Sequence, residues 1–475
     1  MKTLLLVAYV ATWAFIPHLL LLKKRPSATL AWLWAIVFIP LLGAAAYFAI
    51  GTDRLKRQRL KRRNLFSARV SRQRVPASTT DDATTGLLRE LPRRDRQFLQ
   101  LLSRINQLPV SSATSLRILS NAAEFYPALE ARIREAVHHI HLEFYIWQGD
   151  ETGRRFLQLL TEAARRGVIV RLLLDGVGSY GFAQDLLTDY RRAGGHFSWF
   201  QSLDPKRMRF FMNLRNHRKL QIIDGAVAFV GGMNIGREYE GCDATLASWR
   251  DVQVEAAGSV ACELQEVFAD DWFFATGEKI SEPAFFPVHP GPPRQPVHIV
   301  LGGPDRRNEP ISKSIVSLLN EASDRVWIAT GYFVPDDLVL AALELAACRG
   351  VDVRLLISEK NDHPWLVTVG RSHYDHLLAA GVRIFEYSAG IHHAKIALAD
   401  DSWAMVGSAN LDYRSMRLHF ELNLLCYSRQ RNGELARILE QDFGLSQEID
   451  PAVFSRRPFR QKFAEAALRP LSPML

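Results

Sequence analysis

Two short segments of the chain carry the same residue types at the same spacing, and these residues suit phosphate chemistry. The first segment contains His217-x-Lys219, Asp224 and Gly231-Gly232-x-Asn234. The second contains His393-x-Lys395, Asp400 and Gly407-Ser408-x-Asn410. In both segments four residues separate Lys from Asp, and six separate Asp from the first Gly. We interpret this pair as an internal duplication.

The chemistry of the motif follows from its residue types. On a strand, His217 and Lys219 would point to the same face. Lys neutralises phosphate oxygens, while His attacks phosphorus or carries a proton. Two copies supply two His, two Lys and two Asn around one phosphodiester. One His would form a phospho-enzyme, and the other would protonate the departing alcohol and then deprotonate the incoming one. The two carboxylates of a retaining glycosidase divide the roles of nucleophile and acid/base in the same way. We expect no metal and no cofactor.

Composition is compatible with this chemistry and restricts the partners. The 475 residues suffice for two domains or for one large pseudo-symmetric domain. A net charge of +9 favours anionic partners, either nucleic acid or anionic lipid headgroups. The four Cys are scattered without a C-x-x-C pattern, so we expect reduced thiols. We find no His/Cys/Asp group with the spacing of metal ligands.

The N-terminal residues 1–63 predict a membrane anchor. Two apolar runs, at about 4–22 and 30–50, each have the length of about 20 residues that a bilayer requires. The segment Asp53–Arg63 contains seven Lys or Arg, against three in the loop Lys23–Arg25. The positive-inside rule therefore predicts a multi-pass membrane protein with its catalytic domain in the cytoplasm. The alternative is a cleaved signal peptide, but no small-x-small cleavage site follows the first run.

The remaining chain predicts an α/β fold. We divide it into a linker with an approach helix (64–114), a first half (115–285) and a second half (286–475). Ala163–Leu174 (AARRGVIVRLLL) realigns with Ala346–Ile357 (AACRGVDVRLLI), so the duplication extends beyond the motifs. We therefore predict two pseudo-symmetric α/β/α halves packed face to face, with the site on their pseudo-dyad.

Some local predictions are specific enough to test. The pattern predicts a helix over Tyr126–Ala136, with Pro127 in its first turn. It also predicts one continuous helix over Asp362–Ala380. Around the first motif, the strands flank a turn at Asp224-Gly225, and Gly231-Gly232 would allow the backbone to approach a ligand closely.

The duplicated HxK(x)4D strings, each followed by GGxN or GSxN, resemble those of the phospholipase D superfamily. Within it, the chain is most similar to the two-span bacterial cardiolipin synthases. The likeness covers nearly the whole chain and includes the segments Arg25–Trp32, Leu142–Ile146, Arg215–Lys219, Trp249–Asp251, Asp271–Trp272 and Pro470–Leu475.

The resemblance implies a phosphatidyl transfer between lipids. One phosphatidylglycerol would give its phosphatidyl group to a His and release glycerol, and the hydroxyl of a second would then attack to form cardiolipin. The family pattern places in the site His217, Lys219, Asp224, His393, Lys395 and Asp400. It also implies that Asn234 and Asn410 hold phosphate oxygens. Which His is the nucleophile stays open, although family analogy favours His217.

The resemblance also implies supporting residues, among which we include Ser408. Asp251 lies 34 residues beyond His217, and Glu421 lies 28 beyond His393. They resemble the family carboxylates that accept from His Nδ1, although a buried carboxylate paired with Arg is the alternative. We interpret Asp224 and Asp400 as turn residues that brace the loop rather than as chemical groups.

The chain departs from the family pattern at two positions. Gly331 precedes Tyr332 where Pro is usual, and His419 precedes Phe420 where Asn is usual. Both positions bear on specificity toward the acceptor.

Several functions are compatible with these residues. The first is the phosphatidyl transferase, with phosphatidylglycerol and anionic membrane lipids as partners. The alternatives are a phospholipase D-type hydrolase, transfer to another lipid alcohol, a nuclease and a non-catalytic scaffold. Because a nuclease has no need of two anchors, we expect no nucleic acid partner. The sequence does not indicate the oligomeric state.

Overall fold

The structure is a computed structural model. It describes residue 13 and residues 15–21, 26–47, 82–182, 184–201, 215–241, 248–287, 291–306, 308–361 and 363–474. The N-terminal helices belong to one compact unit and the described residues from 82 onward belong to another, and each unit is described by itself.

The helices described in the N-terminal unit are α1 (Phe15–Leu21), α2 (Pro26–Phe38) and α3 (Pro40–Ala46). Pro40 begins α3, because proline cannot continue a preceding helix. Among the described residues, no helix combines the length and the apolar character of a membrane span. Parts of both predicted spans, the loop Lys23–Arg25 and the basic segment Asp53–Arg63 lie outside the described residues. The two spans therefore stay a prediction.

The described residues up to 257 form nine strands. They are β1 (Ser111–Ala113), β2 (Ser115–Ser120), β3 (His139–Phe144), β4 (Ile169–Leu174), β5 (His196–Trp199), β6 (Leu220–Ile223), β7 (Val227–Gly231), β8 (Ser248–Arg250) and β9 (Val252–Ala257). Seven of them form one sheet in the order β2-β9-β7-β6-β3-β4-β5. Neighbours are antiparallel except in β3-β4-β5, which is parallel.

The helices of this region flank the sheet. They are α4 (Asp82–Glu90), α5 (Arg93–Asn106), α6 (Asn121–Glu135), α7 (Glu151–Arg165), α8 (Leu187–Arg192) and α9 (Ser259–Thr276), with 3-10 turns at Gln184–Leu186, Arg237–Glu240 and Pro283–Phe285. The predicted start of α6 is wrong, because the helix begins at Asn121 and contains Pro127 in its interior. Its start is fixed upstream, where the backbone N–H of Ser120 donates to the Glu124 carboxylate at 2.9 Å.

The second half repeats this topology. Its strands are β10 (Gln295–Gly302), β11 (Arg325–Thr330), β12 (Phe333–Val334), β13 (Asp352–Ser358), β14 (Arg383–Tyr387), β15 (Gly390–His392), β16 (Ile396–Ala399), β17 (Trp403–Gly407), β18 (Leu411–Asp412), β19 (Glu421–Tyr427) and β20 (Ser446–Glu448). The order β10-β19-β17-β16-β11-β13-β14 has the same directions as the first sheet. The predicted duplication is thus confirmed strand by strand, and β1 and β20 extend this sheet to nine strands.

The helices of the second half contain a second correction. They are α10 (Pro310–Glu321), α11 (Asp337–Cys348), α12 (Pro364–Arg371), α13 (Tyr374–Ala379), α14 (Tyr413–Arg417), α15 (Arg429–Gly444), α16 (Pro451–Ser455) and α17 (Phe459–Leu468), followed by a 3-10 turn at Arg469–Met474. The helix predicted over 362–380 is therefore two helices. The backbone N–H groups of Ser372 and His373 donate three residues back, at 3.1 and 3.0 Å, which ends α12.

The two halves pack face to face through one apolar core. Val230 and Val254 from the first sheet lie in the same buried cluster as Val406 and Leu424 from the second. The region predicted as linker and approach helix also joins the second half. Strand β1 pairs with β10, and Phe98 on α5 packs edge-on against a second-half indole at 4.7 Å. The boundaries of the predicted domains stay a prediction.

Candidate active site

The two motifs form equivalent hairpins, β6-β7 and β16-β17, and the motif Asp occupies the turn of each. Asp224 and Asp400 have left-handed φ angles of 54° and 48°. The Asp224 carboxylate accepts from the backbone N–H groups of residues 137–139, and Asp400 does the same for residues 323–325. Each carboxylate thus ties its hairpin to the start of β3 or β11. Six residues lie between each Asp and its motif His, which corresponds to about 20 Å along a strand, so neither Asp lies beside an imidazole.

The first catalytic candidate, His217, is oriented by the second half of the chain. Its Nδ1 lies 3.0 Å from both carboxylate oxygens of Glu421 on β19. Its backbone N–H donates to the carbonyl of Phe420 at 2.9 Å. The Glu421 carboxylate also accepts from the hydroxyls of Ser408 and Ser415. The imidazole therefore belongs to one half and its carboxylate to the other.

The second candidate, His393, repeats this arrangement in reverse. Its Nδ1 lies 2.7 Å from Asp251 Oδ2, and its backbone N–H donates to the Arg250 carbonyl at 2.7 Å. Asp251 and Glu421 occupy equivalent positions, because each lies two residues before the strand partner of its motif's first glycine. Counting along the sequence related each carboxylate to the His of its own half. The structure instead pairs each with the His of the other half.

These hydrogen bonds determine which imidazole nitrogen can react. An ionised carboxylate only accepts, so Nδ1 carries the proton and Nε2 keeps its lone pair. Burial lowers the pKa of His217 well below its usual value, and the positive charges of Lys219 and Lys395 lower it further. Burial raises the pKa of Glu421 and raises that of Asp251 to about 6. His217 is therefore neutral near pH 7.

The two motif lysines contact the same backbone atoms in each half. Lys219 Nζ donates to the carbonyl of His217 at 2.8 Å, and Lys395 Nζ donates to the carbonyl of His393. Lys219 is fully buried and lies 5.2 Å from the centre of the Tyr145 ring. Burial lowers its pKa to about 7, with a further decrease from Lys395. Its charge is therefore sensitive to pH in the physiological range.

The imidazoles of both halves line one cleft of about 270 Å³. Its other lining residues include the aromatic side chains of Tyr145, Tyr239, Trp249, Tyr332 and Trp365. Both predicted asparagines also line it. Asn234 Oδ1 accepts from the Ile146 N–H at 3.1 Å, whereas Asn410 Oδ1 is buried without a hydrogen-bond donor. The NH2 group of the Asn410 side chain could therefore donate to a bound anion without disturbing a hydrogen bond to Oδ1.

The motif glycines allow close packing within the protein itself. A Cβ on Gly232 would overlap the Asp251 carboxylate, and one on Gly407 would overlap the Asn423 side chain. Each glycine thus allows close approach to the neighbouring strand, and close approach to a ligand stays a prediction. The second half has Ser408 where the first has Gly232, and that hydroxyl donates to Glu421.

A buried polar network braces the first motif, and the sequence analysis did not assign it. Arg218 forms an ion pair with Asp271 and donates to the Glu421 carbonyl at 3.2 Å. The Asn216 side chain donates to Glu143. These residues fall within segments that carry the family resemblance. The sequence signal that could have indicated this network is a polar side chain within an otherwise apolar run, such as Glu143 on β3.

A third imidazole, that of His419, lies beside His217 with the ring centres 5.7 Å apart. Its Nε2 is buried without a hydrogen-bond partner, and burial lowers its pKa well below the usual value. His217, His419 and Glu421 place potential ligand atoms within 4.8 Å of one another, close enough to hold a metal ion. This cluster was not predictable from the sequence, because 201 residues lie between the two histidines.

Two repeated α/β halves that each contribute an HxK motif to one shared cleft define a protein of the phospholipase D superfamily. Residues 129–272 and 315–443 match the family model described as cardiolipin synthase, PLD-like domain. Residues 10–51 match the model described as phospholipase D-nuclease N-terminal.

Relatives and a solved structure agree with this classification. The cardiolipin synthase of Geobacillus kaustophilus (strain HTA426) is 36% identical over 460 residues, covering 95% of this chain and 90% of that protein. Cardiolipin synthase 2 of Bacillus anthracis is 34% identical over 455 residues, covering 95% and 88%. The phosphatidylserine synthase structure from Haemophilus influenzae Rd KW20 has a TM-score of 0.61 at 16% identity, covers 81% of this chain and 100% of that one, and supports the fold alone. The chain belongs to the cardiolipin synthase family, and it is an enzyme, a phosphatidyltransferase.

Proposed function

We propose that this enzyme condenses two phosphatidylglycerol molecules into cardiolipin and glycerol through a phosphatidyl-histidine intermediate. The observation that carries the proposal is the pair of imidazoles in one cleft, each held by a carboxylate from the opposite half. One imidazole can form the covalent intermediate while the other moves protons.

In the first step, His217 Nε2 attacks phosphorus and the bond from phosphorus to the glycerol oxygen breaks. Protonated His393 gives its proton to that oxygen, and glycerol leaves. In the second step, His393 takes the proton from the headgroup hydroxyl of another phosphatidylglycerol. That oxygen attacks phosphorus, the phosphorus–nitrogen bond breaks and His217 is regenerated. The lowered pKa of His217 supports its role as nucleophile, in agreement with family analogy.

The remaining motif residues take supporting roles. Lys219 and Lys395 neutralise the charge of the phosphate oxygens, and the Asn234 and Asn410 amides donate to those oxygens. Asp224 and Asp400 hold the hairpins. The aromatic lining of the cleft favours a lipid alcohol over water as acceptor, because it limits water at the intermediate.

We place the enzyme in a bacterial cell membrane as a multi-pass protein with its catalytic halves in the cytoplasm. The two predicted spans and the basic segment Asp53–Arg63 support this topology. A reporter enzyme that is active only outside the cytoplasm, fused after residue 475, should stay inactive in cells. Reporter activity would contradict the topology.

The test is a product assay with the full chain in detergent. It uses labelled phosphatidylglycerol without added metal, and the expected products are cardiolipin and glycerol in equal amounts. His217→Ala and His393→Ala should abolish both products, whereas His376→Ala, at an exposed histidine on α13, should change neither. Phosphatidic acid as the main product would make water the acceptor and overturn the proposal. Absence of any turnover of phosphatidylglycerol would likewise overturn the proposal.

A further inference from the structure

The chain beyond the last strand ends in a helix with an unusual exposed surface. On α17, Phe459 and Phe463 are 78% and 64% exposed, and their rings stack with centres 6.1 Å apart. Because they lie four residues apart, both project from the same face of the helix. The only α17 side chain in the buried class is that of Glu465. Two adjacent exposed phenyl rings indicate a surface that another phase or molecule covers.

This helix and the turn after it pack against helices that line the active-site cleft. It packs against α12, and the following turn Arg469–Met474 packs against α14. Trp365 and Leu366 on α12 and Arg414 on α14 all line the cleft. The indole of Trp365 is itself 40% exposed. Apolar surface therefore borders the opening of the cleft on the side that α17 occupies.

Charge identifies the chemistry of the covering phase. Residues 451–474 contain five Arg or Lys and one acidic residue. Arg457 is paired with Asp375 and Glu465, at 2.7 Å each. The other four cations, Arg456, Arg460, Lys462 and Arg469, are exposed. A helix with aromatic residues on one face and surrounding cations is typical of a surface that binds anionic lipid headgroups.

The helix is also fixed to the body of the enzyme. The Arg457 pairs connect α17 to Asp375 on α13. Phe454, just before α17, is buried and packs against Tyr374 with ring centres 5.5 Å apart. The guanidinium of Arg457 lies 4.0 Å from the centre of the Phe454 ring. The exposed phenyl rings therefore keep a defined position relative to the cleft.

We propose that α17 is an interfacial helix that seats the cleft opening on an anionic lipid bilayer. Phe459 and Phe463 enter the boundary between headgroups and acyl chains, and the exposed cations contact the headgroups. A lipid can then place its phosphate in the cleft while its acyl chains stay in the membrane. This inference rests on the proposed function, since it assumes a lipid substrate.

The first test compares a bilayer substrate with a dissolved one. The full chain carries Phe459→Ser and Phe463→Ser together and is assayed with phosphatidylglycerol in proteoliposomes and with a short-chain phosphatidylglycerol below its micelle concentration. Turnover of the bilayer substrate should fall at least about tenfold, and turnover of the short-chain substrate should change less than about twofold. An equal loss with both substrates, or no loss with either, would overturn the docking role.

Val137→Ser is the matched control. Val137 is 82% exposed and precedes β3, whereas Tyr145, which lines the cleft, follows β3. A six-residue strand of about 20 Å therefore separates this control from the cleft. The control should leave turnover of both substrates unchanged, and a loss equal to that of the double variant would overturn the assignment to α17.

The second test is independent of turnover and separates the two proposals. An environment-sensitive fluorophore is attached to the new thiol of Phe463→Cys or of Val137→Cys, and both variants also carry Cys348→Ser because Cys348 is exposed. In proteoliposomes that contain phosphatidylglycerol, bromine-labelled lipids should quench the fluorophore at 463 and not at 137. Quenching at 463 without turnover by the unmodified enzyme would keep the docking role and reject the proposed reaction. Absence of quenching at 463 would overturn the docking role. So would protection of the fluorophore at 463 from quenching that increases with protein concentration, because it would indicate that a second copy of the chain covers this surface.

Discussion

Glu421 and Asp251 act on the imidazoles through one side-chain contact each, and neither lines the cleft among the described residues. Replacing Glu421 by Gln keeps the volume but removes the charge, and the amide can donate to Nδ1 and favour the wrong tautomer. The corresponding Asp→Asn change in a serine protease triad costs about 10⁴ in kcat. We therefore expect Glu421→Gln to lower kcat by about 10³-fold or more.

The product assay measures this effect, with Glu448→Gln as control because Glu448 is exposed on the edge strand β20. A decrease of less than about tenfold in Glu421→Gln would mean that the carboxylate does not set the tautomer.

The pKa values of two buried groups predict a narrow pH optimum. Lys219, with its pKa lowered to about 7, neutralises a phosphate only while protonated, that is, below about pH 7. Asp251, with its pKa raised to about 6, accepts from His393 only while ionised, that is, above about pH 6. We expect kcat/KM to be highest between pH 6 and 7 and to fall on both sides.

A profile of kcat/KM from about pH 5 to 9 tests this expectation. In Lys219→Arg the guanidinium stays protonated, so the alkaline decline should move to higher pH. An unchanged alkaline limb in that variant would assign the decline to another group.

At this scale the sequence identified the groups but not their partners. The types and spacing of His, Lys and Asn indicated phosphate chemistry, and the carboxylates followed from family resemblance. That Glu421 serves His217 could not be predicted, because distance along the chain does not say which half a side chain faces. Gly232 was likewise interpreted as space for a ligand, since a sequence does not show the Asp251 carboxylate beside it.

At the scale of elements, the two motif hairpins depend on the turn aspartates. The Asp400 carboxylate accepts from three backbone N–H groups, at 3.0, 2.8 and 3.2 Å. Ala at this position would lose these hydrogen bonds and also occupy a left-handed φ of 48°. We expect Asp400→Ala to lower the free energy of unfolding by about 2–4 kcal/mol.

Thermal unfolding of the purified enzyme measures this loss. Asp400→Asn tolerates the left-handed turn and keeps one accepting oxygen, so its decrease should be about half as large. Turnover per folded molecule should change less than about threefold in both variants, as expected of a group about 20 Å from the imidazole. A large loss of kcat without a loss of stability would give Asp400 a chemical role.

The elements show where sequence patterns stop being informative. The turn residues correctly predicted the hairpin turn at Asp224-Gly225, which lies between β6 and β7. The division of 362–380 into α12 and α13 was not predictable, because a tertiary contact accompanies it. A Cβ on Gly370 would lie 2.7 Å from the Phe333 carbonyl, so α12 passes against β12 at this glycine. The early start of α6 depends on the Glu124 side chain, which accepts from the backbone N–H of Ser120. This local signal was overlooked because Pro127 was interpreted as marking the first turn of the helix.

At the scale of the whole molecule, the crossed pairs predict which variants behave alike. Asp251 belongs to the first half but orients His393, so Asp251→Asn should impair the same step as His393→Ala. Glu421→Gln should correspondingly resemble His217→Ala. With His217 as nucleophile, the first pair affects proton transfer and the second affects formation of the covalent intermediate.

Single-turnover experiments with labelled phosphatidylglycerol can separate these steps, because the label bound to denatured protein reports the intermediate. The prediction requires only that each carboxylate variant impairs the same step as the variant of the histidine in the opposite half, whichever imidazole is the nucleophile. If Asp251→Asn instead shared the phenotype of His217→Ala, the crossed arrangement would not operate in catalysis.

The sequence predicted the duplication and the two halves, because repeated motifs and a repeated β–α–β pattern are visible along the chain. It did not predict that β1 and α5, which precede the first half, join the sheet and core of the second. Such placements depend on long-range pairing, here of Ser111–Ala113 with Gln295–Val297. A single sequence carries little information about contacts of that range.

The exchange of carboxylates between halves has a consequence for ancestry. A single half would contain an imidazole and a carboxylate that do not form this hydrogen bond with each other. Two identical copies of the half would therefore have to associate to form the site. A gene fusion that joined such copies would preserve both sites at once. After such a fusion neither half could diverge independently, because a change in the carboxylate of one half would impair the histidine of the other half.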